Sequence, residues 1–256
     1  MDYSPQEMMA ITASREIRNE DIVFCGTGIS MVAAMAAKHI SAPQSIIFFE
    51  TGGIDCQLHE LPLSVADPRV MYGTTINAGL AESFAILQNP RTGPRAVAIL
   101  GAAQIDPYGN LNSTCLGDYL HPEMRFTGAG GACDAAAYAG RVMTFMKQER
   151  RRFVPALDYL SSPGMPKNRK ERKRYGLSNP GDSMVITDMA VFRFAEDTGR
   201  MYLWGYYPGV SPEKIAGEVG FPVETCQSKE LPPPSFDELK LLREKIDPFG
   251  LIIKRS

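Results

Sequence analysis

Glu50 follows a short apolar segment and precedes two glycines, a setting in which a carboxylate can act as a nucleophile. Residues 45–49 (SIIFF) are mostly β-branched or aromatic and follow Pro43, so they predict a buried strand. Ligands of open α/β sheets bind at the carboxyl ends of the strands, and Gly52 and Gly53 let the backbone turn close to a ligand. A carboxylate there can attack an electrophilic carbon. A solvated strand-end residue is the alternative, and this segment alone leaves both interpretations open.

Two glycines separate a predicted strand at residues 22–25 from an alanine-rich predicted helix at residues 30–40. These are Gly26 and Gly28, and the helix N-terminus that follows them can bind an anion through its unpaired N–H groups. Met31 stands where a dinucleotide fingerprint needs its third glycine. A phosphate site and a plain turn between strand and helix both remain possible.

Another predicted strand, at residues 97–100, leads into a loop rich in turn-forming and amide residues, among them Gln104, Gly109 and Asn110. Amides at a strand end can hold a neutral polar ligand such as a pantetheine arm. They can equally cap the turns of their own loop. The sequence does not decide between the two.

Gly130 and Gly131 precede a small-residue helix predicted at residues 132–139. Glycines before a helix N-terminus leave backbone N–H groups unpaired, and such groups can form an oxyanion hole. Close packing of the helix on a strand explains the same glycines. Asp134 is explained by the helix dipole without any function.

Six of the eight residues at 167–174 are basic. This composition predicts a solvated surface loop. Phosphate contacts to a ligand or partner are the second interpretation, and nucleic acid is the third because the net charge of the chain is −2.

The elements that position these residues alternate between strands and helices. Ser4, Pro5 and Glu7 predict a capped first helix, and the strand–helix–strand order after it predicts parallel pairing. The predicted fold class is α/β, an open and mostly parallel sheet with helices on both faces. Residues 184–187, 191–194 and 201–204 predict a β-meander at the sheet edge, and a capping box at Ser235 predicts a helix to about Ile246. We expect one domain over residues 1–256, with residues from about 205 onward as a C-terminal helical extension.

The composition is ordinary for a globular protein, with 44% hydrophobic and 22% charged residues. A net charge of −2 provides no global attraction to nucleic acid or to an anionic membrane. No apolar run approaches the roughly 18 residues of a membrane-spanning helix, and the first residues do not predict a signal peptide. Five scattered cysteines and three histidines predict reduced thiols in the cytoplasm and disfavour a disulfide framework or a metal site.

Four runs carry a resemblance that covers nearly the whole chain: residues 49–56 (FETGGIDC), 101–114 (GAAQIDPYGNLNST), 117–122 (GDYLHP) and 125–132 (RFTGAGGA). They resemble the B subunits of family I CoA-transferases of the glutaconate type. The resemblance implies transfer of CoA between an acyl-CoA and a carboxylic acid, with a glutaconate-type dicarboxylate favoured. It implies a ping-pong mechanism through a covalent glutamyl-CoA thioester, with CoA as substrate and no metal or other cofactor.

The resemblance also implies roles for individual residues. Glu50 falls at the position of the catalytic glutamate, and Gly130 with Gly131 at the glycine loop that supplies or shapes an oxyanion donor. The residues matched to CoA or substrate binding are Gly26, Gly28, Gln104, Gly109 and Asn110.

In this family the active site lies between two subunits of similar fold, so an A-type partner is expected, in a larger heteromer of A–B pairs. We expect no transferase activity from this chain alone, and neither nucleic acid nor a membrane as a partner. The chain departs from the family pattern at Gly53, where a bulkier residue is usual, and in the charge of residues 167–174. A wider acyl site is one interpretation of Gly53.

Relatives of this fold support alternatives. A ring-opening CoA-ester hydrolase lacks the glutamate, and a decarboxylase carries cysteine in its place, so Glu50 favours the transferase over both. Cys56 lies six residues beyond Glu50 and is interpreted as a packing thiol. A non-catalytic CoA-ester-binding subunit remains a further alternative, and a nucleotide-dependent oxidoreductase rests only on Gly26 and Gly28.

Overall fold

The structure is a computed structural model that describes residues 2–165, 169–177 and 182–254. Its helices are α1 (Pro5–Glu16), α2 (Ile29–Ile40), α3 (Leu80–Gln88), α4 (Ala132–Tyr138), α5 (Arg169–Arg174), α6 (Pro212–Gly217) and α7 (Phe236–Leu241). Its strands are β1 (Ile22–Cys25), β2 (Ile46–Phe48), β3 (Gly53–Ile54), β4 (Ile76–Asn77), β5 (Ala96–Gly101), β6 (Gln104–Ile105), β7 (Leu111–Asn112), β8 (Cys115–Gly117), β9 (Pro122–Arg125), β10 (Arg141–Phe145), β11 (Met184–Ile186), β12 (Ala190–Phe194), β13 (Met201–Tyr206) and β14 (Lys229–Glu230).

The chain divides into two compact units. The first comprises Met1–Ile99 with Pro233–Ser256, and the second Leu100–Pro232. The division cuts the predicted C-terminal extension, because residues 205–232 belong to the second unit and the rest to the first. The single domain expected from the sequence stays a prediction.

The first unit is built on three parallel strands, as the strand–helix–strand order predicted. β1 lies between β2 and β5 and is parallel to both, with Phe24 paired to Phe48 and Cys25 to Ile99. β3 and β4 then add in antiparallel orientation. Parallel pairing brings the carboxyl ends of β1, β2 and β5 to one edge.

The core of this unit forms because its central strands are apolar on both faces, as a covered parallel sheet requires. All four residues of β1 are buried, and the ring of Phe24 packs 5.4 Å from that of Phe48 and 5.7 Å from that of Phe84. Helix α2 buries the continuous run from Ser30 to Ala37. Its small alanines allow close approach of neighbouring elements, so the helix is packed along most of its length.

Two reciprocal ion pairs join the N-terminal and C-terminal helices of the first unit. Glu7 completes the capping box of α1 with Ser4 and also accepts two hydrogen bonds from Arg243, at 2.6 and 2.8 Å. Glu238 completes the capping box of α7 and accepts two from Arg15, at 2.8 and 2.6 Å. Each carboxylate thus stabilises its own helix start and the contact to the other helix.

The second unit contains the predicted meander. β10 and β11 are parallel, and β11, β12 and β13 follow one another in antiparallel order. β14, which was not predicted, lies parallel to β13. Two small hairpins precede them, β6 with β7 and β8 with β9.

The described part of the basic segment is a helix, α5, and not a solvated loop. The side chain of Arg172 is only 1% exposed, so the predicted solvation is wrong for this residue, whereas Arg174 is exposed as expected. Composition could not reveal the burial, because Arg172 donates to carbonyl groups of α4 that lie 36 and 35 positions away, as well as to the nearer Pro163 and Gly164. Lys167 and Asn168 lie outside the described residues.

Some element boundaries also differ from the expectation. Residues 77–88, followed by Asn89 and Pro90, also predict a helix, but α3 begins only at Leu80 because Asn77 belongs to the edge strand β4. The C-terminal helix reaches Ile246 as predicted, but residues 242–246 are a π-helical turn.

Within the ranges described above, the structure has no helix of the length and apolarity needed to cross a membrane. The same ranges hold no group of three or more His, Cys, Asp or Glu side chains placed to bind a metal ion.

Replacing Glu7 by glutamine is expected to lower the free energy of unfolding by about 2 kcal/mol near neutral pH, since charge-assisted hydrogen bonds are lost. Burial opposes ionisation of Glu7, but the hydrogen bonds from Arg243 and Ser4 outweigh it and lower its pKa from 4.5. The stabilisation is therefore present above the unfolded pKa and is lost as the pH falls through the lower folded pKa.

Urea unfolding as a function of pH measures this effect, with the exposed Glu244→Gln as control. The wild type and Glu7→Gln should converge in stability once the pH falls below the lowered pKa of folded Glu7. A difference that stays constant down to about pH 2 would contradict the assignment.

Candidate functional site

Glu50 lies in the turn that joins β2 to β3. The N–H of Gly52 donates to the carbonyl of Phe49 at 3.1 Å, and the N–H of Phe49 donates to the carbonyl of Gly53 at 3.0 Å. These bonds close a tight turn with Glu50 at its second position. The predicted strand at 45–49 is shorter than expected, and Glu50 stands two residues beyond its end.

Both glycines after Glu50 are required by close backbone contacts. Gly52 has φ +109°, and a Cβ there would lie 1.9 Å from the carbonyl oxygen of Ala78. A Cβ on Gly53 would lie 2.5 Å from the carbonyl oxygen of Val70. Packing thus gives a sufficient reason for Gly53, and a role in widening the acyl site stays a prediction.

The Glu50 side chain is half-buried, and within the described part of the chain its carboxylate accepts no hydrogen bond and forms no ion pair. Phe48 and Phe49 are fully buried, so they anchor the turn in the core. A carboxylate held on a rigid turn without an internal partner is available to react with a bound substrate.

Gly26 and Gly28 lie at the same edge of the first unit as Glu50. Gly26 and Glu50 each follow the paired residues Phe24 and Phe48 by two positions, at the ends of neighbouring parallel strands. Gly28 has φ +76° and precedes α2, whose first turn has no side-chain cap. The structure therefore combines the nucleophile candidate with uncapped helical N–H groups, an arrangement suited to an anionic group.

In the second unit, Gly109 and Asn110 belong to a turn organised by Asp106. The Asp106 carboxylate accepts from the backbone N–H groups of Tyr108 and Asn110 and from the Asn110 side chain, at 2.7 to 3.0 Å. Gly109 has φ +75°, and a Cβ there would lie 2.6 Å from the ring of Phe194. The turn needs its glycine for conformation and for space.

Gln104 is buried, and its amide is used within the protein. Its Nε2 donates to Asp158 at 3.0 Å, and its Oε1 accepts from the Asn112 side chain at 2.7 Å. These bonds tie the β6–β7 hairpin to the segment around Asp158. A contact of Gln104 or Asn110 with CoA stays a prediction.

Two hydrogen bonds between Gly128 and Ser113 hold the start of the glycine loop in the second unit. The N–H of Gly128 donates to the carbonyl of Ser113, whose hydroxyl donates back to the Gly128 carbonyl, both at 3.0 Å. Gly130 has φ +50°, and Gly131 is the N-cap of α4. Within the described ranges the N–H groups of Gly130 and Gly131 donate no hydrogen bond, so they can donate to an oxyanion.

The structure thus groups the predicted residues by unit. Gly26, Gly28 and Glu50 share one edge of the first unit. Gln104, Gly109, Asn110 and the Gly130–Gly131 loop belong to connected segments of the second. Sequence reasoning missed the organising residues Asp106 and Asp158; the spacing of Asp106 and Asn110 about Gly109 was the available signal for a side-chain-capped turn.

Cys56 is buried near the Glu50 turn. Desolvation raises the pKa of its thiol to about 11. The thiol is therefore protonated at neutral pH and is not a nucleophile there, which agrees with the packing role expected for it.

Comparisons with known proteins identify a family and similar proteins for this chain. The sequence matches the profile of the family described as Coenzyme A transferase over residues 6–218. It is 41% identical to the B subunit of glutaconate CoA-transferase from Acidaminococcus fermentans over 252 residues, covering 96% of this chain and 94% of that protein. It is 34% identical to the B subunit of 3-oxoadipate CoA-transferase from Pseudomonas knackmussii, covering 94% of this chain and 92% of that protein.

The fold agrees with a solved structure as well. The crystal structure of glutaconate coenzyme A-transferase from Acidaminococcus fermentans matches with a TM-score of 0.95 at 39% identity, covering 100% of both chains. The predicted α/β class, a large and mostly parallel mixed sheet with helices, is confirmed by this match. On these grounds the chain belongs to the Coenzyme A transferase family.

Proposed function

We propose that this chain is the nucleophile-bearing component of a heteromeric CoA-transferase that moves CoA between an acyl-CoA and a carboxylic acid. The observation that carries the proposal is the Glu50 carboxylate, held on the Phe49–Gly52 turn at the carboxyl edge of parallel strands and without a partner in the described chain. Membership of the family supplies the reaction class in which such a carboxylate has a role.

The chemistry proceeds by exchange of thioester and anhydride bonds. A Glu50 carboxylate oxygen attacks the thioester carbon of the donor acyl-CoA, and the C–S bond breaks to release the CoA thiolate. The acyl group then forms a mixed anhydride with Glu50. The thiolate attacks the Glu50 carbonyl carbon, which expels the donor carboxylate and leaves CoA as a thioester on Glu50.

The acceptor acid reverses these steps. Its carboxylate attacks the Glu50 thioester, the released thiolate attacks the acyl carbon of the resulting anhydride, and free Glu50 is restored. No net proton, electron or water is consumed, so the energy of the donor thioester is retained in the product.

Every step passes through a tetrahedral oxyanion that needs preorganised donors. We assign that role to the N–H groups of the Gly130–Gly131 loop, because they have no acceptor in the described chain. Gly26 and Gly28 are assigned to binding an anionic part of the substrate near the start of α2. Gln104, Gly109 and Asn110 shape the segment proposed to bind the pantetheine arm.

A glutaconate-type dicarboxylate is the preferred substrate in this proposal, since the relative at 41% identity belongs to a glutaconate CoA-transferase. An A-type subunit is the proposed partner, in a heteromer of A–B pairs, because both relatives are named as B subunits. The isolated chain is expected to lack transferase activity. CoA-transfer assays of the isolated chain and of the complex co-purified with the A-type chain measure this difference.

Glu50→Gln is expected to reduce kcat for CoA transfer by at least about a thousandfold, because a neutral amide is a far weaker nucleophile than the carboxylate. The change in folding free energy should stay within about 0.5 kcal/mol, since the carboxylate makes no hydrogen bond or ion pair with the described residues. The assay uses the complex with the A-type subunit, and the exposed Glu60→Gln, in the same unit, is the matched control.

Mass spectrometry of the same complex identifies the intermediate. After incubation with glutaconyl-CoA, the wild type should carry a CoA thioester on Glu50 that hydroxylamine removes and borohydride reduces. Full transfer by Glu50→Gln, or a wild type that only hydrolyses or decarboxylates the ester, would refute the transferase mechanism.

The two loop glycines provide a test of the oxyanion assignment. Keeping φ +50° at position 130 would cost alanine about 1–2 kcal/mol. Relaxation of this strain would reorient the N–H groups of the loop. Gly131 has φ −74°, which alanine adopts readily. Gly130→Ala should therefore lower kcat by about tenfold or more, and Gly131→Ala by much less.

Steady-state kinetics of both variants in the complex measure this difference, with KM for the acyl-CoA recorded separately. Equal losses in the two variants, or a loss confined to KM, would argue against a role of this loop in stabilising the oxyanion.

A further inference from the structure

The basic segment contributes a buried arginine to the interior of the second unit. The side chain of Arg172 is 1% exposed, whereas Arg174, two positions further along α5, is exposed. Burial lowers the pKa of Arg172 to about 10, so the guanidinium is still charged at neutral pH. A buried charge is retained only where its hydrogen bonds are well satisfied.

One side of the guanidinium contacts the end of α4. Its Nη2 donates to the carbonyls of Ala136 and Ala137, the latter at 3.1 Å. Carbonyls in the last turn of a helix lack partners within the helix, and a cation there is favoured by the helix dipole. Arg172 therefore acts as a C-terminal cap for α4.

The other side contacts the segment around Gly164. Its Nη1 donates to the carbonyls of Gly164 and Pro163, the latter at 3.4 Å. Gly164 in turn donates its N–H to the Asn110 side chain at 2.7 Å. The contact is so close that a Cβ on Gly164 would lie 2.2 Å from the carbonyl carbon of Gly109.

Arg172 also lines a small cavity together with Tyr108, Gly109 and Phe194. The cavity holds about 20 Å³, room for about one water molecule. The surroundings of the guanidinium are thus nearly close-packed, and a shorter side chain would leave a void there.

We propose that Arg172 is a positioning residue for CoA transfer. Through Gly164, it connects α4, and the glycine loop that precedes α4, to the Tyr108–Asn110 turn. Gly128 already attaches the loop at its other end, to Ser113. Because α4 has only seven residues and is about 10 Å long, a shift at its C-terminus moves Gly131 as well. The inference rests on the proposed function, since the segments that Arg172 would position are the ones proposed to stabilise the oxyanion and to bind CoA.

Neither lysine nor methionine reproduces this connection. The guanidinium donates in two directions at once, whereas an ammonium is a single compact donor that loses its charge more readily when buried. Methionine has an unbranched apolar side chain but leaves the carbonyls of Ala136, Ala137 and Gly164 without the Arg172 donor. The expected order of function is arginine, then lysine, then methionine.

The test compares Arg172→Met and Arg172→Lys with the matched control Arg174→Met, each in the complex with the A-type subunit. At a temperature where circular dichroism and gel filtration show a folded complex, Arg172→Met should lower kcat by about ten- to a hundredfold. Arg172→Lys should recover part of this loss, and Arg174→Met should match the wild type.

Hydrogen–deuterium exchange supplies a readout that does not depend on activity. Residues 126–138 and 104–112 should exchange faster in Arg172→Met, while the meander at residues 190–206 keeps wild-type rates. Faster exchange throughout the unit together with wild-type kcat would indicate general stabilisation only and would overturn the inference.

The failures are distinguishable. A wild-type complex that transfers no CoA refutes the proposed function, whereas an active wild type with unchanged kcat in Arg172→Met refutes the positioning role. If the Arg172→Met complex does not assemble, Arg172→Lys provides the test. Wild-type kcat and wild-type hydrogen–deuterium exchange in that variant would overturn the inference. A reduced kcat with faster exchange in residues 126–138 and 104–112 would support it.

Discussion

Parallel pairing of β1 with β2 and β5 is the constraint on which the first unit depends. It aligns three strand ends, so Gly26 and Glu50 emerge at one edge although 24 positions separate them. The pairing is stable because both faces of β1 are buried and the Phe24 ring packs on Phe48 and Phe84. A one-residue slip of β1 would move the Phe24 ring to the opposite face of the sheet, away from Phe48 and Phe84, so the packing of these rings also sets the register of the site.

The turn after β2 holds the Glu50 carboxylate at a defined position beyond the end of this strand. Phe49 anchors the turn below Glu50, and the backbone of Gly52 lies against that of Ala78. A turn held by packing and backbone contacts needs nothing from the Glu50 side chain. In the proposed mechanism, the carboxylate therefore changes its covalent state without loss of the structure that holds it.

Hydrogen bonds to buried and half-buried side chains hold several loops of the second unit in place. Asp106 organises the turn at Gly109, Gln104 bridges Asn112 and Asp158, and Arg172 joins α4 to the Gly164 segment. Such networks define one geometry because each buried donor or acceptor is costly to leave unpaired.

Local pattern was enough to predict the strand–helix order, the parallel core, the meander, the capping boxes at Ser4 and Ser235, and the place of Glu50 at a strand end. Apolar periodicity and capping chemistry act over a few residues, so the sequence by itself determined these features. Only the tertiary structure decided that Arg172 is buried, that Gln104 bonds to Asp158, and that Gly53 makes room for the Val70 carbonyl. Each of these depends on a partner brought close by folding, and no local pattern of charge, amide or glycine specifies which distant group that partner will be.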